Sequence, residues 1–467
     1  MRETKPSDVK PVATRLYFLP VRLERPLRFG TETVDSFYCA RVEMTVVTRE
    51  GKYVTGWGET PLNVQWAWQS SRDPKHREAV MIECCRELAR AWAEFDRYGH
   101  PLEVGAAFLE EVLPTVQRGI QRLAGTEPFP TLTALVCCSP FDIALYDAFG
   151  KACGRPALAT LTPQYMNSDL SAFLDPAADS LVSFNQVYPA DYLRLPPAEK
   201  MPVWHLVGAL DSLEPEEATS AEGMPSSLRA WIREGGLRCI KIKLCGTDAT
   251  WDYERLVQVG ALAMQEGVHW LGVDFNGTAR TTEYVNSLLD RLMWEYPRIY
   301  GMLLYVEQPF APDLESRALD VHSVAARKTL VLDESAHDWR AVLLGRELGW
   351  NGVAIKIAKT LTNAVLTTSW AAAHGMRVLV QDLTNPMLAL VAHLHVAAYL
   401  PTFMGVESNS IQYCPSASRI EAQRFPGLFQ RHQGEVVCTT ARQPGLGYGG
   451  VESERPLPEC DTEAGNM

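Results

Sequence analysis

Apolar and polar residues alternate along residues 15–60, in RLYFLPVRL and again in FYCARVEMTVVT, which is followed by the turn sequence REGK. A two-residue period bounded by turn residues predicts half-buried strands, here an antiparallel sheet. Over residues 76–121 the apolar spacing becomes helical and includes Leu88, Ala91 and Trp92. The first 130 or so residues therefore predict a small α+β unit. From residue 202 the pattern changes again to short apolar runs separated by helical segments: VWHLVGAL, LRCIKIKLC, WLGVDFN, LLYVEQP, LVLDES, GVAIKIAK, RVLVQD and FMGVES. Their starts lie roughly 25 to 35 residues apart, the length of one parallel β/α unit, and eight such units close a barrel. The predicted fold class is α/β.

Residues 162–200 break this scheme, being rich in Pro, Asp and aromatic residues without a period. They predict an insertion, either a surface excursion or a lid near the barrel mouth, since long ordered loops often carry function. Gly445, Gly447 and Gly450 match GxGxxG, but the following VESERPLPEC is polar and broken by proline. No helix can follow, so the match is not a dinucleotide fingerprint.

Charged residues interrupt the predicted barrel strands in register. In LRCIKIKLC the strand period puts Cys239, Lys241, Lys243 and Cys245 on one face and Ile240, Ile242 and Leu244 on the other. Barrel strands bury both faces, so the apolar set must meet the helices and both lysines must point into the lumen. In GVAIKIAK, Val353, Ile355 and Ile357 form the apolar face and Lys356 stands opposite with Ala354. The second and sixth strands lie across the barrel from each other, which places Lys243 and Lys356 on two sides of one centre. The three strands between end in Asp274, Glu307 and Asp333. Strand C-termini are where barrel enzymes place their chemistry, and three inward carboxylates repel one another without a cation. Oxygen-only ligands favour Mg²⁺.

Composition narrows the partners. The 467 residues carry a net charge of −12, which opposes nucleic acid or an anionic membrane surface and leaves a small ligand as the expected partner. None of the eleven cysteines forms a spaced CxxC pair, so reduced thiols are expected rather than a zinc site. The N-terminus MRETKPSDVKPVATR has no apolar signal core and no run of eighteen apolar residues occurs, so a cytoplasmic location is expected. The histidines offer no better centre: His374, His393 and His395 fall on predicted helices.

With these residues in place the chain resembles the enolase superfamily, in its muconate lactonizing enzyme branch rather than its mandelate racemase branch. SPFDIALYDAFGKACGRP at 139–156 is similar to the helix that opens the family's barrel, and GWGETPL at 56–62 to its cap-domain turn. KIK at 241–243, VDFNG, VEQP, LDES, IKIAK and QPGLGYGG at 443–450 follow in the family's order. The resemblance implies a modified TIM (β/α)7β-type barrel with an N-terminal α+β capping domain completed by the C-terminal tail. Its expected divisions are a cap over 1–135, a barrel over 136–420 with the insertion, and a segment over 421–467 packing back on the cap.

The same resemblance implies Mg²⁺, with Mn²⁺ as an alternative, on Asp274, Glu307 and Asp333. Lys243 and Lys356 become the paired acid/base residues, and Lys241 assists the substrate carboxylate and its neighbour's pKa. Asn276, Gln308 and Glu334 sit beside the acids as tuning residues or ordinary loop residues. Lys359 is either near the base or a solvated helix start. The implied reaction removes the proton next to a substrate carboxylate through an enediolate, because positive charge stabilises the anion that forms. Two opposed lysines serve a racemase or epimerase of an amino-acid-like or related carboxylate. The same site also serves a lyase, of dehydratase or o-succinylbenzoate synthase type, or a cycloisomerase, and a non-catalytic binding homologue is the remote alternative. Segments 25–34 and 62–69 are expected to read the substrate, with Trp66 and Trp68 as aromatic walls or as packed interface. Glu407 and Asn409 share a face of the last strand and faintly resemble the paired acids of dipeptide epimerases, with Asn in place of the second acid. Asp382, in QDLTNP, stands where the family has small residues. A homo-oligomer is expected.

Overall fold

The alternating N-terminal text forms a three-stranded meander, β1 (Val9–Phe29), β2 (Glu32–Thr48) and β3 (Tyr53–Pro61), paired antiparallel throughout. The predicted REGK turn lies between β2 and β3, with Gly51 at φ 81, a conformation that costs glycine little. The computed structural model describes residues 4–29, 32–214 and 224–465. Gly30 and Thr31, part of the 25–34 segment singled out above, lie outside the described residues.

Helix Pro74–Ala93 packs on β1, helices Pro101–Glu111 and Leu113–Ala124 pack against their helical neighbours, and the long helix Thr131–Cys153 follows. That helix lies directly on β3, and two glycines of GWGE make the approach feasible. A Cβ on Gly56 would collide with the backbone of Ala144 and Ala148, and one on Gly58 with the backbone of Pro140. Asp147 then accepts the backbone N–H of Trp57 at 2.9 Å. Thr131–Cys153 holds no unbroken run of eighteen apolar residues, but by length and mean apolarity it would suffice to cross a bilayer, and its whole apolar stretch is buried inside the protein. The shared burial of cap and barrel explains that apolarity.

All eight predicted barrel strands form. They are β4 (Lys200–Val207), β5 (Cys239–Lys243), β6 (Trp270–Asp274), β7 (Leu303–Glu307), β8 (Thr329–Leu332), β9 (Gly352–Ile355), β10 (Arg377–Val380) and β11 (Val406–Glu407). Each pairs parallel with the next and β11 pairs with β4, which closes the barrel. Helices such as Leu228–Gly235, Ala249–Gln265, Thr282–Glu295 and Leu361–Ala373 connect them. β12 (Glu435–Val437) adds antiparallel to the start of β4. The tail then returns to the cap, where β13 (Thr462–Gly465) pairs antiparallel with β1. The tail therefore completes the cap sheet.

Residues 162–200 do not cover the mouth. Asn167 binds Asp8 and Glu103 of the cap, Trp370 donates to the carbonyl of Asp175, and the N–H of Ala198 reaches Ala398. The insertion thus runs down the outer helical shell to the N-terminal end of β4, which favours the surface-excursion reading over the lid. The cap core includes Ala358, Leu383 and Met387, from the turns and helix starts just past the opposite, C-terminal strand ends. The cap is therefore seated over the end of the barrel where the acidic residues lie.

Candidate active site

The lumen is built in layers by the strand period. Trp204, Cys239, Tyr305, Val331, Ala354 and Leu379 form one buried apolar cluster. Two residues further along five of these strands stand Lys241, Glu307, Asp333, Lys356 and Gln381, all at most 5% exposed. β6 follows the same rule: Gly272 leaves room for the Tyr305 ring, and Asp274 comes two residues later. Apolar side chains thus seal the barrel from below, and the next layer is charged.

Lys243 donates to Asp274 Oδ2 at 2.5 Å and to Asn276 Oδ1 at 2.9 Å. Lys241 lies among three carboxylates, Glu307 at 2.6 Å, Glu407 at 2.9 Å and Asp274 at 3.0 Å. Across the lumen Lys356 donates to Asp333 Oδ2 at 2.8 Å. Lys359 is not solvated: it is buried and donates to the carbonyl of Asp333 at 2.5 Å. Burial opposes charge on Lys241 and Lys356, but the carboxylates around each outweigh it and hold both amines above the ordinary lysine range. Burial, joined by the charge of Lys356, outweighs Asp333 at Lys359 and lowers it.

The acids divide in the same way. Burial resists ionisation of Asp274, yet Lys241 and Lys243 overcome it and keep its carboxyl below the usual range. Glu307 is driven well above its usual range by burial and by the charge of Asp274. Glu334 is pushed up to about 7 by burial and by Asp333 and Asp274, and Asp382 to about 7 by burial and by Glu407. Asn276 donates to Glu334 at 2.9 Å, completing a chain from Lys243 through Asn276 to Glu334. Gln308 is a brace: its amide oxygen accepts the N–H of Asp333 at 2.8 Å and its amide nitrogen donates to Ser335 Oγ at 2.7 Å. Asn276 (φ 46) and Gln308 (φ 31) hold left-handed backbone conformations just past Asp274 and Glu307. Such strain costs about 1–3 kcal/mol each and gathers at functional sites.

The predicted substrate contacts separate. Asn409 donates to Glu407 at 2.7 Å and to Asp382 at 3.2 Å, which gathers these three residues beside Lys241. Trp66, on the short helix Val64–Ala67 capped by Asn63, places its ring 4.7 Å from the Lys356 amine. Trp68 does not join them: it is 1% exposed and meets Phe129 edge-on at 5.2 Å inside the cap. Three residues were missed as site members. Gln381 donates to Glu307 at 2.5 Å and was legible from the strand period. For Lys359 the sequence leaves two alternatives open, a place near the base and a solvated helix start, and the structure buries it against Asp333. Phe29, whose ring lies 5.5 Å from the Lys243 amine, falls in the 25–34 segment expected to read the substrate, but no local pattern singles it out there, because only the docking of the cap brings it to Lys243.

The donor chemistry fits a hard divalent cation. Around this centre six buried carboxyl groups (Asp274, Glu307, Asp333, Glu334, Asp382 and Glu407) meet four lysines, so acids outnumber amines by two. Glu334 Oε2 is buried and has no hydrogen-bond partner among the described residues. Among the described residues no three Asp, Glu, His or Cys side chains converge closely enough to enclose an ion as they lie, because each acid on β6 to β8 is turned to a lysine or an amide.

Residues 223–452 match the family model described as enolase C-terminal domain-like. No curated protein matches the chain. Among solved structures, a dipeptide epimerase from Enterococcus faecalis V583, complexed with Mg and L-Leu-L-Tyr, is similar at 16% identity and TM-score 0.60, over 94% of this chain and 99% of that one. An N-succinyl Arg/Lys racemase from Bacillus cereus ATCC 14579 is similar at 17% identity and TM-score 0.60, over 97% and 99%. A muconate lactonizing enzyme from Pseudomonas fluorescens, complexed with muconolactone, is similar at 15% identity and TM-score 0.55, over 94% and 96%. These likenesses establish the shared fold. The matched region, residues 223–452, carries the buried lysines and acids on consecutive strands β5 to β9, and it is this part of the chain that is similar to the enolase C-terminal domain-like family.

Proposed function

We propose that this chain is a Mg²⁺-dependent racemase or epimerase that removes the proton next to a substrate carboxylate and returns one to the same carbon. The observation that carries this reading is the pair of buried amines, Lys243 at the end of β5 and Lys356 just past β9, four strands apart in an eight-stranded barrel with three acids between them. One amine must lack its proton to take one, and the other must hold a proton to give one. Asp333 keeps Lys356 charged against burial, which suits the donor. Asn276 and Asp274 fix the direction of the Lys243 amine. Asp274, Glu307 and Asp333 would hold Mg²⁺, which supplies positive charge where negative charge builds on the substrate carboxylate. Lys241, saturated by three carboxylates, acts here as a fixed counter-charge. Asp382 and Glu407, joined by Asn409, form an acidic wall that suits a cationic or hydrogen-bond-donating group on an amino-acid-like substrate, and Trp66 closes the Lys356 side.

The test is incubation with a panel of N-acylated amino acids and dipeptides in D₂O with Mg²⁺. An epimerase incorporates one deuterium next to the carboxylate with inversion. A lyase or cycloisomerase, the second reading supported by the muconate lactonizing enzyme among the similar folds, gives a product of changed mass or connectivity instead. Recovery of every compound unlabelled and unchanged would count against both.

A further inference from the structure

Lys356 is closed off from the mouth. Trp66, itself 4% exposed, lies over the amine, and Lys356 is 5% exposed. Behind it are two cavities with common walls. The outer one, about 150 Å³, lies between the cap helices and the barrel and is lined by Leu109, Glu110 and Leu113 of the cap and Trp339 and Arg340 of the barrel. The inner one, about 10 Å³, is lined by Lys356, Lys359 and Thr367. His337 and Asn363 line both. At roughly 30 Å³ per liquid water, the outer cavity has room for a short chain of waters, and the inner one is close to the smallest space that admits one. Polar partners stand along the way: Asn363 Nδ2 donates to the carbonyl of Lys359 at 3.3 Å, and the half-buried His337 ring is kept neutral by burial, with its pKa lowered to about 4.

We propose that His337 and Asn363 form the neck of a rear water path from the cleft between cap and barrel to the amines of Lys356 and Lys359. Through it the Lys356 ammonium hands a proton to water and takes one back with no change of charge, while substrate and cap fill the front. Solvent hydrogen then reaches one face of the reaction centre independently of Lys243, whose partners Asp274 and Asn276 lie on the far side. The use of this path in turnover rests on the proposed function, but its existence does not, so the test reads exchange rather than activity.

Full-length protein labelled with ¹⁵N at the lysine amines is transferred to D₂O without substrate, with signals assigned through Lys356→Arg and Lys359→Arg. In the double variant His337→Phe/Asn363→Leu the neck is apolar, exchange requires local opening, and the Lys356 and Lys359 hydrogens exchange about tenfold or more slowly while Lys243 keeps its rate. Unchanged exchange at Lys356, or equal slowing at Lys243, overturns the path. If the double variant does not fold, a high-resolution crystal structure of the unaltered protein decides. Ordered water in the inner cavity, continuous with the outer one, supports the path, and a dry inner cavity refutes it.

Discussion

Lys241 and Lys243 are two residues apart on one face of one strand, yet their surroundings give them different chemistry. Three carboxylates surround the first, whereas one carboxylate and one amide hold the second. Lys243→Ala and Lys356→Ala should each lower deuterium incorporation into a turned-over substrate by about 10²- to 10⁴-fold, the usual scale of a positioned acid or base. Both should leave thermal unfolding nearly unchanged at saturating Mg²⁺. Lys241→Ala should instead destabilise the metal-free protein by about 3–5 kcal/mol in urea titrations, because it strands buried carboxylates. If either flanking lysine is dispensable for exchange, the two-amine reaction fails. The period of two that exposed the lysines also predicts Gln381. Trp68 shows where the pattern gives out: two tryptophans in one short segment look alike in text, and only the cap's packing sends one to Lys356 and the other against Phe129.

At the scale of elements, helix Pro101–Glu111 begins with an unusual cap. His100 Nδ1 accepts the N–H of Leu102 at 3.1 Å, and Glu103 accepts the N–H of His100 at 3.0 Å. Burial lowers the His100 pKa to about 3, with nearby Lys5 acting in the same direction. In the unfolded chain this imidazole takes up a proton near its ordinary value, so the unfolded state binds more protons between about pH 6.5 and 3. The stability His100 contributes is therefore present above pH 6.5 and is lost as pH falls towards 3. The stability gap between the natural protein and His100→Gln should narrow by about 1 kcal/mol between pH 7 and pH 5.5, measured by urea unfolding at each pH. A gap that holds steady or widens would mean the histidine is not buried in its neutral form. The sequence resemblance starts the helix that follows the cap at Ser139, but in the structure it starts at Thr131, eight residues earlier, and runs through Pro140 in its third turn. Its all-round apolar surface carries no amphipathic period, so its start could not be read from the pattern.

For the whole molecule the governing quantity is the charge gathered between cap and barrel, six acids against four lysines in a space sealed below by the Trp204 and Tyr305 layer. A ligand that binds only the folded state at about 100 times its Kd adds roughly 2.7 kcal/mol to stability. Mg²⁺ should therefore raise the unfolding temperature of the natural protein, and EDTA should reverse the rise. Asp333→Asn should abolish most of the shift, whereas Arg340→Ala, on an exposed ion pair with Glu110, should leave it intact. A shift that survives Asp333→Asn would place the cation elsewhere.

The sequence by itself determined the barrel, its eight strands, the inward register of Lys241, Lys243 and Lys356 and the acids at three strand ends. It could do so because a buried strand in a closed barrel has only two faces, and a charge on either stands out against the apolar period. The tertiary structure alone decided the outward course of residues 162–200, the place of Phe29 over Lys243, the burial of Lys359 and the rear cavities. Those depend on how separately folded segments dock, and docking is set by shape and packed volume summed over distant residues rather than by any local spacing.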